Sequence, residues 1–192
     1  ISSHSDIDMV SFTGSTQAGI AVSKAASETV KRICLELGGK SPNIILDHAN
    51  FKKAVEGGVD SCFRNTGQSC NAPTRMLVPI ARYEEAIEIA KNYASSLTVG
   101  SPKSSETDIG PLVSETHFER VQSYMDIALN EGARLVFGGP GKPKGFEKGN
   151  YTKPTLFADV SNDMRIVKEE VFGPVLCIQS FGSVDQVIEM AN

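Results

Sequence analysis

Three stretches of the 192-residue chain bring together residue types that can do chemistry. In Asn65-Thr66-Gly67-Gln68-Ser69-Cys70-Asn71 a cysteine sits in polar, turn-rich text directly after an amphipathic segment. A thiol on a loop at an element boundary can be exposed and polarised, which is where thiolate nucleophiles are found. Cys34, Cys62 and Cys177 lie instead in apolar patterns. In Leu35-Glu36-Leu37-Gly38-Gly39-Lys40-Ser41-Pro42-Asn43 a carboxylate stands at an apolar strand end, ahead of two glycines. Burial among leucines would raise its pKa toward the range useful to a general base. A buried glutamate with Lys40 as its partner is the alternative. In Phe12-Thr13-Gly14-Ser15-Thr16-Gln17-Ala18-Gly19 a strand turns through Gly14 into a helix, whose free N–H groups could hold a phosphate or dinucleotide. A hydroxyl-capped turn with no ligand is the alternative there. The glycine spacing mimics the front of a Walker loop, but Ile20-Ala21 stand where Lys and Ser or Thr would have to be, which excludes ATP binding of that type.

Helices and strands must position these residues. Phe51, Ala54, Val55, Gly58, Val59, Cys62 and Phe63 share one helical face, opened by Asn50 as N-cap. Tyr83, Ala86, Ile87, Ala90, Tyr93, Ala94 and Leu97 form a second face. A third comprises Phe118, Val121, Met125, Ala128 and Leu129, with Gly132 just past its end. Short apolar runs at 43–46, 76–78, 135–137 and 175–178 alternate with these helices, which predicts buried, mainly parallel strands in an α/β sheet. The Gly/Pro/Lys-rich stretch 138–149 has no periodicity and reads as an exposed loop, with no helix start to make it a phosphate site.

Composition narrows the function classes. A net charge of −4 with no Lys/Arg cluster argues against nucleic acid as a partner. No apolar run approaches the roughly 20 residues that cross a bilayer, so no membrane partner is expected. His4, His48 and His117 are scattered, without CxxC or HExxH, and are expected to be solvated or hydrogen-bonded rather than to bind zinc. Four cysteines in a chain of this size read as thiols in a reducing, cytoplasmic setting. Ile1 in place of Met, and a helix that opens at Ser183 and runs out at Asn192, give the expectation of a segment from a longer polypeptide. A processed native N-terminus is the competing view.

Taken in order, the Phe12–Gly19 turn, the run 36–43, the loop Gly67-Gln68-Ser69-Cys70 and the later run Glu169-Glu170-Val171-Phe172-Gly173-Pro174-Val175 resemble the aldehyde dehydrogenase superfamily. The likeness extends through connecting text such as Gly149-Asn150-Tyr151-Thr152-Lys153-Pro154-Thr155-Leu156 and covers essentially the whole chain. The resemblance implies oxidation of a small-molecule aldehyde to an acid with NAD or NADP. Cys70 would match the nucleophile and Glu36 the base that activates water. Gly14, Ser15, Thr16, Gly19 and Leu37 would lie against the coenzyme. Glu170 would match the carboxylate on the nicotinamide-side ribose, and Phe172 would help place that end. Family members that pass the acyl group to coenzyme A usually lack the glutamate, so Glu36 points to hydrolytic release. Residues 1–40 would be the end of a Rossmann-like coenzyme domain and 41–192 a C-terminally truncated catalytic domain. The family's oxyanion asparagine would lie upstream, so the isolated chain is expected not to turn over. A homo-oligomer, dimeric or tetrameric, is implied for the parent. The competing classes are a structural or interaction module that kept the fold and a thiol hydrolase with a Cys–His pair, for which no histidine sits in a suggestive setting.

Overall fold

The computed structural model describes residues 1–48 and 50–192. The chain divides into two compact units, Ile1–Gly39 and Lys40–Asn192.

The smaller unit is a single β–α–β turn of chain. Strand β1 (Met9–Thr13) pairs in parallel with β2 (Arg32–Glu36), in a register that sets Val10 opposite Ile33 and Thr13 opposite Glu36. Helix α1 (Thr16–Ser27) starts because Ser15 is extended and its Oγ accepts the Ala18 N–H at 3.2 Å. Its inner face is made of small residues, with Gly19 and Ala26 buried. A methyl group on Gly19 would meet Leu37 Cδ2 at 2.7 Å, so the missing side chain is what lets this helix approach the segment after β2. Lys31 is buried and donates its ammonium to the carbonyls of His4 and Ile7, at 2.6 and 2.7 Å.

The larger unit is built on a five-stranded sheet of order β3-β4-β7-β6-β5. β3 (Pro42–Ile44), β4 (Arg75–Pro79), β7 (Val175–Phe181) and β6 (Thr155–Ala158) run parallel. Only the edge strand β5 (Arg134–Phe137) is antiparallel, with a register shift between Leu135 and Phe137. Alternation of side chains across the sheet divides the core in two. On one face Met76, Val78, Leu156, Leu176 and Ile178 pack with α2 (Phe51–Phe63) and α3 (Tyr83–Ser96). On the other, Phe157, Val175 and Cys177 pack with Val121, Tyr124, Met125 and Ala128 of α4 (Glu115–Asn130), and with Ile166 and Val167 of the short α5 (Arg165–Lys168). Each large apolar side chain buried in this way contributes about 1.5–3 kcal/mol.

The expected helix faces are present, with one difference. Leu129 is 39 % exposed, whereas Tyr124 faces the core, because the buried stripe of α4 runs 121, 124, 125, 128 and leaves 129 to solvent. Strand β6 was not expected from its sequence, since Thr155-Leu156-Phe157-Ala158 is short and follows a long irregular stretch. Asn50, Ser114 and Ser183 cap α2, α4 and α6 (Val184–Ala191) through their side-chain oxygens. Arg75, at the start of β4, donates Nε to the carbonyl of Lys40 at 3.0 Å, Nη1 to that of Met190 at 2.8 Å and Nη2 to that of Ala191 at 3.0 Å. One guanidinium thereby closes the sheet's first strand onto the final helix and satisfies carbonyls at that helix's C-terminus. Among the described residues, no helix is long and apolar enough to cross a membrane.

Candidate active site

Of the nine site residues that the sequence singled out, six lie in the smaller unit and three in the larger. In the smaller unit, the turn at Gly14 and the strand end at Glu36 are neighbours. The Gly14 N–H donates to the Glu36 carbonyl at 3.1 Å, continuing the β1–β2 ladder. Ser15 and Thr16 follow at the exposed start of α1, and Gly19 and Leu37 pack against each other. The structure corrects one expectation here. Glu36 is exposed within this chain rather than buried, because a two-stranded sheet has too few neighbours to cover the side chains at its strand ends. Cys34, on the same strand, is exposed for the same reason despite its apolar surroundings in sequence.

The larger unit holds Cys70 on a loop that leaves α2 through a tight left-handed path. Asn65, Thr66 and Gly67 have φ values of 52°, 59° and 68°. Two of these are not glycine, and such backbone costs on the order of 1–3 kcal/mol per residue unless the surroundings enforce it. They do so here. Thr66 Oγ1 accepts the Gly110 N–H at 3.1 Å and lies 3.3 Å from the Gly110 carbonyl, to which it donates. Gln68 Oε1 accepts the Val113 N–H at 2.9 Å, and Asn65 Nδ2 donates to the Gln68 carbonyl at 2.9 Å. Cys70 emerges from this anchored loop as an exposed free thiol. Cys62 and Cys177 are buried, as expected. Burial pushes both thiols up, Cys177 to about 11, which leaves them almost wholly protonated near neutrality.

The run 169–174 lies against that loop. A Cβ on Gly67 would overlap the carbonyl oxygen and carbon of Gly173, so the two backbones touch where Gly67 has no side chain. On its other side Gly173 abuts Val121 of α4, whose Cγ2 would meet a Cβ at 2.8 Å. Helix α4 grips the run at successive turns. The Tyr124 hydroxyl donates to Glu169 Oε2 at 2.7 Å, and Arg120 Nη2 donates to the Glu170 carbonyl at 3.0 Å. His117 Nε2 lies 2.6 Å from the Phe172 carbonyl. A carbonyl oxygen only accepts, so Nε2 carries the proton in this bond. Arg165 pairs with Glu169 at 2.7 Å, and this pairing, reinforced by Tyr124, pulls the Glu169 carboxyl down to about 2. Glu170 is different. Its Oε1 is buried and has no hydrogen-bond partner among the described residues. Burial also lowers the pKa of the Lys40 amine, with the Glu170 carboxylate among the opposing influences.

Sequence reasoning singled out Cys70, Glu170 and Phe172, expected His117 only to be solvated or hydrogen-bonded, and gave no role to Thr66, Gln68, Arg120 or Tyr124. The signal for the three helix residues was available only as the i, i+3, i+4, i+7 spacing of 117, 120, 121 and 124, which reads first as an ordinary helix face. Among the described residues, no group of three or more His, Cys, Asp or Glu could hold a metal ion.

Comparison with known proteins identifies the family. The profile of the aldehyde dehydrogenase family matches residues 1–192. A 3-succinoylsemialdehyde-pyridine dehydrogenase of a Pseudomonas species is 50% identical over 192 residues, covering 100% of this chain and 40% of that protein. Aldehyde dehydrogenase C of Pseudomonas syringae, solved as a cysteine-to-alanine mutant with NAD+ and octanal, superimposes with a TM-score of 0.98 at 49% identity, over 100% of this chain and 39% of that one. An aldehyde dehydrogenase of Bacillus cereus in complex with NAD+ superimposes with a TM-score of 0.96 at 43% identity, over 100% of this chain and 38% of that one. The chain thus spans about 40% of the length of these relatives. With the whole chain matched by one family profile and by solved members over its full length, the chain belongs to the aldehyde dehydrogenase family.

Proposed function

We propose that this chain is the nucleophile-bearing part of a longer protein that oxidises an aldehyde to a carboxylic acid with NAD, by way of a covalent intermediate on Cys70. The observation that carries the reading is the contact between two loops. The exposed thiol of Cys70 stands on a loop whose Gly67 rests on Gly173, three residues after Glu170, which has a buried carboxylate oxygen with no donor among the described residues. A ribose hydroxyl would supply that donor, so the residues present fit the coenzyme. Glu170 and Phe172 would hold its nicotinamide half. Gly14, Ser15 and Thr16, with Gly19 and Leu37 packed behind them, would lie along it in the smaller unit. The NAD+ complexes of two relatives favour NAD over NADP.

In the proposed reaction the Cys70 thiolate attacks the aldehyde carbon. A C–S bond forms, and the carbonyl π pair becomes an oxyanion, held in part by the Cys70 backbone N–H. When bound, NAD supplies the acceptor for the hydride that leaves this carbon, and a thioester remains on Cys70. Glu36 takes a proton from water, whose oxygen adds to the thioester carbon. Collapse breaks the C–S bond, releases the acid and returns the thiolate. Glu36 would then select hydrolysis over transfer to coenzyme A. The Cys–His alternative is disfavoured at His117, whose Nε2–H is engaged by the Phe172 carbonyl. Four free thiols, two of them exposed, suit a reducing, cytoplasmic setting, and we propose a homo-oligomer for the full-length protein.

The test is steady-state NADH and acid production by the full-length protein with octanal and with an aromatic semialdehyde, using NAD and NADP in parallel. Equal yields of NADH and acid are expected, with Cys70→Ser lowering the rate by about 10³-fold or more. Glu36→Gln is expected to leave a burst of NADH followed by turnover slowed by about 10²-fold or more. Full aldehyde oxidation by Cys70→Ser would overturn the assignment.

A further inference from the structure

Phe172 adopts φ +60°, a left-handed conformation that bulky side chains rarely take. Its position is therefore held by something outside the residue. The residue that holds it is His117. The imidazole donates Nε2–H to the Phe172 carbonyl at 2.6 Å, and its ring meets the Phe172 ring edge-on, with centroids 5.8 Å apart and planes at 64°. Three residues on, Arg120 holds the Glu170 carbonyl, and one turn further Tyr124 holds the Glu169 carboxylate. One stripe of α4 thus fixes three of four consecutive residues, while Val171 between them is buried in the core with Val121 and Tyr124. His117 and Arg120 lie outside the buried stripe of α4, which is Val121, Tyr124, Met125 and Ala128.

Resting on the reading that Glu170 and Phe172 receive the coenzyme, we propose that His117 is a positioning residue for coenzyme binding. By grasping the carbonyl and the ring of Phe172 at once, it locks the left-handed turn and so fixes the spacing between the Glu170 carboxylate and the Phe172 side chain. It acts through Phe172 and takes no part in the covalent step on Cys70.

The experiment uses the full-length protein with three replacements. His117→Phe keeps an aromatic ring but no donor. His117→Gln places an N–H near the site of Nε2 without the ring, and His117→Ala removes both. NADH affinity is read by fluorescence titration, and amide exchange of residues 171–173 by mass spectrometry without coenzyme. KM for NAD, kcat and the alkylation rate of Cys70 are measured alongside. The expected result for His117→Phe is a roughly tenfold weaker Kd and higher KM for NAD, faster exchange at 171–173, and a Cys70 alkylation rate within about twofold of wild type. His117→Gln should recover to within about threefold of wild type, and His117→Ala should be the weakest binder. Unchanged affinity and exchange in His117→Phe would overturn the proposal. So would an equal loss in all three variants accompanied by altered Cys70 reactivity, which marks a purely structural role. If the wild type itself binds no NADH, the coenzyme reading fails first, an outcome distinct from a wild type that binds and a His117→Phe that binds equally well.

Discussion

The two groups of candidate residues rest on supports of very different strength. In the smaller unit the Gly14 turn and Glu36 sit on two parallel strands and one helix, and its buried residues are few: Val10, Gly19, Ala26 and Lys31. In the larger unit the Cys70 loop and the run 169–174 are pressed together between a five-stranded sheet and α4, over two clusters of fully buried side chains. A pair of strands with one helix buries too little apolar surface to offset the conformational entropy of about 40 ordered residues. The larger unit therefore carries its own order, whereas the smaller unit by itself is expected to be marginal.

The sharpest way to break this comparison is to separate the units. A peptide of residues 1–39 is expected to show no cooperative unfolding by circular dichroism. Residues 40–192 should retain a single cooperative transition, and a folded 1–39 would refute the contrast. Next in size is thiol reactivity under limiting iodoacetamide, followed by peptide mass spectrometry. Cys34 and Cys70 should react more than about a hundredfold faster than Cys62 and Cys177, since burial both hides the latter and keeps them protonated. Labelling of Cys62 at the rate of Cys34 would show that the larger core is loose.

A matched pair of glycine replacements probes backbone against side-chain contact. Gly67→Ala forces a Cβ into the Gly173 carbonyl at a positive φ, with only backbone to move, and should cost about 2–4 kcal/mol in urea denaturation. Gly19→Ala meets only the tip of Leu37, which can rotate, and gains helix propensity. Its cost should stay below about 1 kcal/mol. Equal costs would mean that the loop contact is softer than its geometry implies. The smallest effect concerns Glu169. Its folded pKa of about 2 lies below the ordinary carboxylate value of about 4, so its contribution is complete above that value and fades as pH falls toward 2. Both partners are about half exposed, so Arg165→Met should destabilise by under about 1 kcal/mol near neutrality and by nothing measurable at pH 2.

Much of this architecture was legible because its signals are local. Helix faces 51–63 and 83–97, the caps at Asn50 and Ser183, and the strand runs at 76–78 and 175–178 follow from periodicity and short-range chemistry. The exposure of Cys70 followed from the polar text around it. What escaped depended on partners distant in sequence. Thr155-Leu156-Phe157-Ala158 becomes a strand only because β7 and β5 flank it. Glu36 reads as buried from its leucine neighbours but is exposed because its sheet is narrow. His117, Arg120 and Tyr124 acquire meaning only from residues about 45–55 positions away. Spacing alone gave no sign of those contacts.

Arg75 has a consequence for how the larger unit reaches its native state. Its three carbonyl acceptors lie 35, 115 and 116 residues away in sequence, at the first strand and at the last helix. The β4–β7 pairing that carries Arg75 likewise joins strands about 100 residues apart. The two bonds to α6 and the strand pairing cannot reward the chain until a loop of about 100 residues has closed, and that closure must be met before these contacts form. The expectation is that this unit folds slowly for its size, with the guanidinium's bonds to α6 formed late. Truncation inside α6 would leave the guanidinium with one acceptor out of three.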